Sequence, residues 1–196
     1  MTPFQRLPRI ATLAVVLAAL AVTGCAKPKT RYGDPGSVET VTNQFGSTDL
    51  QMLAEQMTQS LLQAPVIGSG NLPIVTVQEV RNKTSEYIDT RAITNRMRGT
   101  LQKSGRVHFA TDAADMQRQK EELERQGSEL YDQEKAVRQG KMVGAGFRLS
   151  GEITSIVKEA DDVKDVYYQL FLSLTNIETG LEEWSDTKDI RKTTSR

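Results

Sequence analysis

Two stretches near the C-terminus alternate apolar and polar residues, and that period of two restricts the fold more than any other feature of the chain. Phe147 to Val157 places Phe147, Leu149, Ile153 and Val157 on one side. Val166 to Asn176 does the same with Val166, Tyr168, Leu170, Leu172 and Leu174. The charged segment Lys158 to Lys164 between them reads as an exposed loop. Glu178-Thr179-Gly180-Leu181 reads as a turn whose glycine takes a positive φ, and Glu182 to Ile190, with Trp184, as a third strand returning alongside. The product is an antiparallel meander with one apolar face. Such a face is stable only beneath a second layer, so the rest of the chain must supply helices. Tyr167 and Phe171 fall on the opposite face and need cover of their own.

The first two-thirds of the chain contains those helices. Leu50, Leu53, Met57, Leu61 and Leu62 recur at helical spacing, with Ser47 or Thr48 as N-cap and Pro65 beyond the end. Asp89 or Thr90 caps a second helix to Lys103, in which Ile93, Met97 and Leu101 form an apolar stripe and after which Gly105 is the stop. Leu72 to Val80 and Val107 to Ala110 read as strands. Thr111 to Gln126 is a polar helix, and a further helix is expected from Asp132 to Val143, stopped by Gly144. The expected class is α+β: a mainly antiparallel sheet flanked by helices in a sandwich of two or three layers.

The N-terminus has a different character. Arg6 and Arg9 precede Ile10 to Val22, a 13-residue apolar run interrupted only by Thr12 and too short for a stable bilayer span. Val22-Thr23-Gly24-Cys25 follows and is similar to the bacterial lipobox, with Val22 where leucine is commoner. Its small residues let a peptidase accommodate the backbone, and the Cys25 thiol is the nucleophile that accepts a diacylglycerol. The expectation is a signal peptide over residues 1–24, cleavage between Gly24 and Cys25, and acyl chains on Cys25. Each methylene they bury contributes about 0.8 kcal/mol to membrane attachment. Ala26 in place of Asp directs such a lipoprotein to the outer membrane, facing the periplasm. Residues 25–47, with Pro28, Gly33, Pro35, Gly36 and Gly46 and few apolar side chains, read as a flexible tether, and residues 48–196 as a single globular domain. A tether of this length has an r.m.s. reach of about 25 Å and a stretched length of about 75 Å.

Little in the chain points to catalysis. His108 is the only histidine and sits in a short strand, and the single cysteine is assigned to the lipid, so neither a nucleophilic triad nor a zinc site can be assembled. Gly140-Lys141-Met142 lacks the flanking residues of a phosphate loop, and the pairs Glu121/Glu122 and Asp161/Asp162 lie in polar surroundings that would not raise a carboxyl pKa for acid catalysis. The 25 basic and 25 acidic residues balance, which argues against nucleic acid as a partner. The expectation is a protein without catalytic residues, cofactor or metal.

One stretch stands out: Val80-Arg81-Asn82-Lys83-Thr84-Ser85-Glu86-Tyr87-Ile88-Asp89-Thr90, followed by Leu101-Gln102-Lys103-Ser104-Gly105-Arg106-Val107. Asn82-Lys83-Thr84 and Ser104-Gly105-Arg106, together with the Thr179-Gly180 turn and Glu183-Trp184-Ser185, resemble the LpoB-type penicillin-binding-protein activators. The resemblance runs from about Gln51 to Ile190. It implies a fold similar to the TolB amino-terminal domain. It also implies contact with a bifunctional peptidoglycan synthase, a penicillin-binding protein, whose two activities it would stimulate. Asn82 and Thr84 suit side-chain bonds within a turn, while Arg81, Lys83 and Tyr87 are the candidate partner interface. The tether is shorter than the long Pro- and Gln-rich segment of the better-known members. That leaves a second reading, a non-catalytic lipoprotein of envelope assembly or secretion machinery.

Overall fold

The structure is a computed structural model that describes residues 30–68, 70 and 72–195. Cys25, Gly24 and the expected signal segment lie outside the described residues. A compact unit runs from Pro35 to Arg196.

Its helices are α1 (Ser47–Gln63), the short α2 (Pro65–Gly68), α3 (Thr90–Lys103) and α4 (Ala113–Gln126). The strands are β1 (Ile74–Val77), β2 (Arg81–Lys83), β3 (His108–Phe109), β4 (Phe147–Ala160), β5 (Val163–Asn176) and β6 (Glu182–Ser195). Among the described residues they form one six-stranded sheet in the order β3-β1-β4-β5-β6, with β2 also paired to β4. The class is α+β, as expected, and the sheet is mixed and open. β4, β5 and β6 form the antiparallel meander. β1 and β2 run parallel to β4, end to end along one edge, and β3 runs parallel to β1.

The core forms where the period-two rows meet the helical stripes. Leu149 and Ile153 of β4 and Val166, Tyr168, Leu170, Leu172 and Leu174 of β5 are buried. They pack with Leu53, Met57 and Leu61 of α1 and Ile93, Met97 and Leu101 of α3. Every one of these side chains contributes about 1.5–3 kcal/mol relative to exposure. Trp184 lies partly buried at the rim and donates from Nε1 to Ser60 Oγ at 3.3 Å.

Four expectations change. α1 begins at Ser47 with Gly46 as N-cap, and Asp49 accepts from the Gly46 amide at 2.8 Å. The expected loop at 158–164 is a tight hairpin instead. β4 and β5 pair as far as Ala160 and Val163, and Asp161 takes the positive φ of 47° that the turn demands. Val157 is exposed, although its cross-strand partner Val166 is buried. The expected helix at 132–143 is absent. Lys135 and Ala136 donate back to the Asp132 carbonyl in a single turn, Gly140 takes a φ of 74°, and Val137, Met142 and Val143 are exposed. With no core to receive its apolar face, a sequence this short does not propagate a helix. Finally, the compact unit starts at Pro35 rather than near Thr48. Residues 35–46 join it through hydrogen bonds, which hydropathy does not register.

Candidate functional site

The segment from β2 to α3 is shaped by its own polar side chains. Arg81 and Lys83 alternate with Asn82, so the two cations share one face of the sheet. Beyond them, Asn82 Oδ1 accepts from the Thr84 amide at 3.0 Å, and Asn82 Nδ2 donates to the Glu86 carbonyl at 2.9 Å. Buried Ile88 anchors the end of the loop, and Thr90 Oγ1 donates to the Val80 carbonyl at 2.8 Å. Asp89 caps α3 by accepting from the Arg91 amide at 3.1 Å. Asn82 and Thr84 thus have the turn-building role their residue types suggest.

The candidate interface residues divide. Arg81 Nη2 and Lys83 Nζ each lie 2.9 Å from Glu152 Oε2, on the neighbouring strand β4. The Lys83 bond, with the Lys83 and Arg81 charges, holds the Glu152 carboxyl below its ordinary value. Tyr87 stands apart from this cluster at 92% exposure. Together with Arg81, Asn82, Ile88, Thr90 and Arg91 it lines a shallow groove of about 590 Å³. Lys83 is not part of that groove.

The face carrying Arg81, Lys83 and Glu152 continues across β5 and β6. Phe171 pairs with Glu152 on one side and Thr187 on the other, and Tyr167 pairs with Ile156 and Arg191. This face is turned away from the core residues that meet α1 and α3. Phe171 remains 37% exposed and Ile156 58%. The Tyr167 phenol is hydrogen-bonded to Asp189, which raises its pKa. Farther along, Arg191 grips both oxygens of Asp165, Nε donating to Oδ1 at 3.0 Å and to Oδ2 at 3.1 Å and Nη2 to Oδ2 at 2.7 Å, and the Asp165 carboxyl is held low as a result. Among the described residues Phe171 is thus left exposed on this face, and Tyr167 is half-buried beside it. Ile156 belongs to the other row of β4, which the apolar alternation of the buried row does not mark.

The chemistry available here is recognition. Surface cations, an aromatic pair and a neighbouring aliphatic are the groups that bind a protein surface. Among the described residues, no three His, Cys, Asp or Glu side chains are grouped so as to hold a metal ion. Among the same residues, no helix is long and apolar enough to cross a membrane.

The sequence matches the profile of the peptidoglycan-synthase activator LpoB over residues 49–190. The chain belongs to the LpoB family. The matched span begins at buried Asp49 in the first turn of α1 and ends at buried Ile190 of β6, so it brackets the folded core. Proteins of the LpoB family regulate a synthase rather than catalyse a reaction. Among solved structures, the chain is similar to the LpoB C-terminal domain from Escherichia coli, at 16% identity and a TM-score of 0.45, covering 72% of this chain and 98% of that one. It is similar to the corresponding domain from Salmonella enterica, at 15% identity and a TM-score of 0.42 with the same coverage. It is also similar to lipoprotein GNA1162 from Neisseria meningitidis, at 18% identity and a TM-score of 0.38, covering 62% of this chain and 83% of that one. No curated protein sequence matches it significantly.

Proposed function

We propose that this protein is an outer-membrane lipoprotein, acylated on Cys25 after cleavage at Gly24. From the periplasmic side it binds a bifunctional peptidoglycan synthase, a penicillin-binding protein, and stimulates it. The observation that carries this reading is the open face of a sheet whose family is one of synthase activators. Four strands spaced about 4.8 Å apart, over some ten residues of β4 and β5, make a surface of about 700 Å². That approaches the roughly 800 Å² per partner of a standard stable interface. Phe171 lies near its centre. The β2–β4 margin is basic, with Arg81, Lys83, Arg148 and Lys158 against Glu152. An apolar surface with an acidic margin on the synthase would complement it.

Stimulation follows from differential binding. A ligand that touches only the surface of an enzyme shifts it toward an active state by the difference in affinity for its two states, and by nothing else. The shallow, water-accessible groove beside Tyr87 suits such contact better than it suits a small molecule.

Binding of the mature chain, with Cys25→Ser to keep it soluble, to each purified bifunctional synthase of the same bacterium tests this. Wild type binds. Phe171→Ser and Lys83→Glu weaken binding by about tenfold or more, the effect of losing an interface anchor, and Met116→Ser on α4 leaves it unchanged. Absence of binding to every synthase contradicts the proposal. Co-purification with a secretion or appendage complex in that case would favour the second reading, an envelope-assembly lipoprotein. Mass spectrometry of the native protein tests the anchor: a diacylated N-terminal Cys25 is expected, and a free thiol contradicts it.

A further inference from the structure

Pro35–Gly46 has no helix or strand, yet it is fastened to the domain along its length. Gln51 Nε2 donates to the Pro35 carbonyl at 2.8 Å, and the Glu39 amide donates to Thr48 Oγ1 at 2.8 Å. The Glu39 carboxylate in turn accepts from the Ser47 amide at 2.8 Å. Lys192 Nζ donates to the Gln44 carbonyl at 2.6 Å, and the Phe45 amide donates to Glu86 Oε2 at 3.0 Å. The other Glu86 oxygen accepts from the Tyr168 hydroxyl, a phenol that burial and the Glu86 bond keep protonated well above its usual range. Phe45 packs edge-on against the Tyr168 ring, with centroids 5.6 Å apart. It is the segment's one inserted apolar side chain. Val38 and Val41 are 73% and 84% exposed.

This attachment differs in kind from the core. Hydrogen bonds exchanged for water contribute little net free energy, and ordering the backbone of a segment this long opposes them. A segment held in this way opens locally at lower free energy than the sheet beneath it. Its central fastening, Glu86, belongs to the loop that presents Tyr87.

We propose that Pro35–Gly46 is a releasable strap, with Glu86 as its latch, that sets both the reach of the domain from its anchor and the support of the Tyr87 loop. The inference rests on the lipoprotein reading for its role in reach. With the strap docked, the nine residues Ala26–Asp34 separate Cys25 from the domain, a stretched length of about 30 Å. Release adds the twelve residues of the strap and brings the stretched length to about 70 Å. It also strips the Phe45 amide from Glu86. The partner would then meet a domain that reaches farther and has a less constrained Tyr87 loop.

Amide hydrogen exchange on the mature chain with Cys25→Ser, and no partner present, tests the strap independently of any synthase. The Phe45 and Glu39 amides should exchange at least about 100-fold faster than those of Leu170 and Leu172, because local opening is easier than global unfolding. Glu86→Gln removes the charge that strengthens both latch bonds and should speed Phe45 exchange about tenfold while leaving Leu170 unchanged. Gly46→Ala is an independent variant: its Cβ would meet the Glu39 carboxylate, and it should speed exchange at Ser47. Equal protection of strap and sheet amides in wild type would overturn the proposal. Unchanged Phe45 exchange in Glu86→Gln would overturn the role of Glu86.

Discussion

Lys192 of β6 and Asp49 in the first turn of α1 form a 2.9 Å ion pair with side chains only 17% and 6% exposed, joining the last strand to the first helix. Asp49 also accepts from the Gly46 amide, and Lys192 donates to the Gln44 carbonyl. One pair therefore closes the helix N-terminus and holds the end of the strap. Removing one member of a buried pair strands the other without a counter-charge, which costs about 3–5 kcal/mol when burial is complete. Lys192→Met should lower unfolding stability by about 3 kcal/mol in urea. Replacing both residues, as Lys192→Met with Asp49→Leu, should recover part of that loss.

Gly151 faces Leu172 across β4 and β5. A Cβ there would lie 2.7 Å from Leu172 Cδ2 and 3.0 Å from Leu172 Cα, and would press on the Phe171 carbonyl oxygen. Neither the backbone nor the packed leucine can yield without parting the strands. Gly151→Ala should cost about 1–3 kcal/mol, seen as a fall in melting temperature of about 3–10 °C for a chain of this size.

Acid sensitivity follows from five carboxyls held below their ordinary values, Asp112 and Asp186 among them. Glu39 is lowered by the Ser47 bonds, Glu152 by Lys83, and Asp165 by Arg191. A depressed folded-state pKa contributes stability above the unfolded value, near 4, and that stability is lost as pH falls through the folded value. The urea midpoint should stay level from about pH 5 to 8 and decline below about pH 4. Asp165→Asn should make that decline shallower.

The Arg81–Glu152–Lys83 cluster gives two interface variants of opposite sign. If the docked surface is acidic, Lys83→Glu should weaken synthase binding about tenfold and Glu152→Gln should strengthen it about threefold, mainly through the association rate. Both effects should shrink as salt rises.

How far this could be read from sequence depended on the kind of interaction. The row Val166, Tyr168, Leu170, Leu172 and Leu174 and the stripe Ile93, Met97 and Leu101 were legible because burial imposes a period. β2 was not: Arg-Asn-Lys has no period, and its place beside β4 comes from parallel pairing with residues 71 positions away. The same separation hid the fact that Arg81 and Lys83 share Glu152. The expected helix at 132–143 had helix-forming residues but no core to pack on. Glu86 carried no signal, since a glutamate in a polar loop looks solvated until Phe45 and Tyr168 converge on it. Tyr167 and Phe171 were visible as aromatics on the wrong face of a strand, and they are the most informative clue to the open surface.

In the proposed function this domain docks its open sheet face on a peptidoglycan synthase. The most direct measurement is the glycan polymerisation rate of the purified bifunctional synthase against rising concentrations of the mature protein. Wild type should give a saturable increase, and Phe171→Ser little or none at the same concentrations. A rate that stays flat at saturating wild type, or that rises equally with Phe171→Ser, would contradict it.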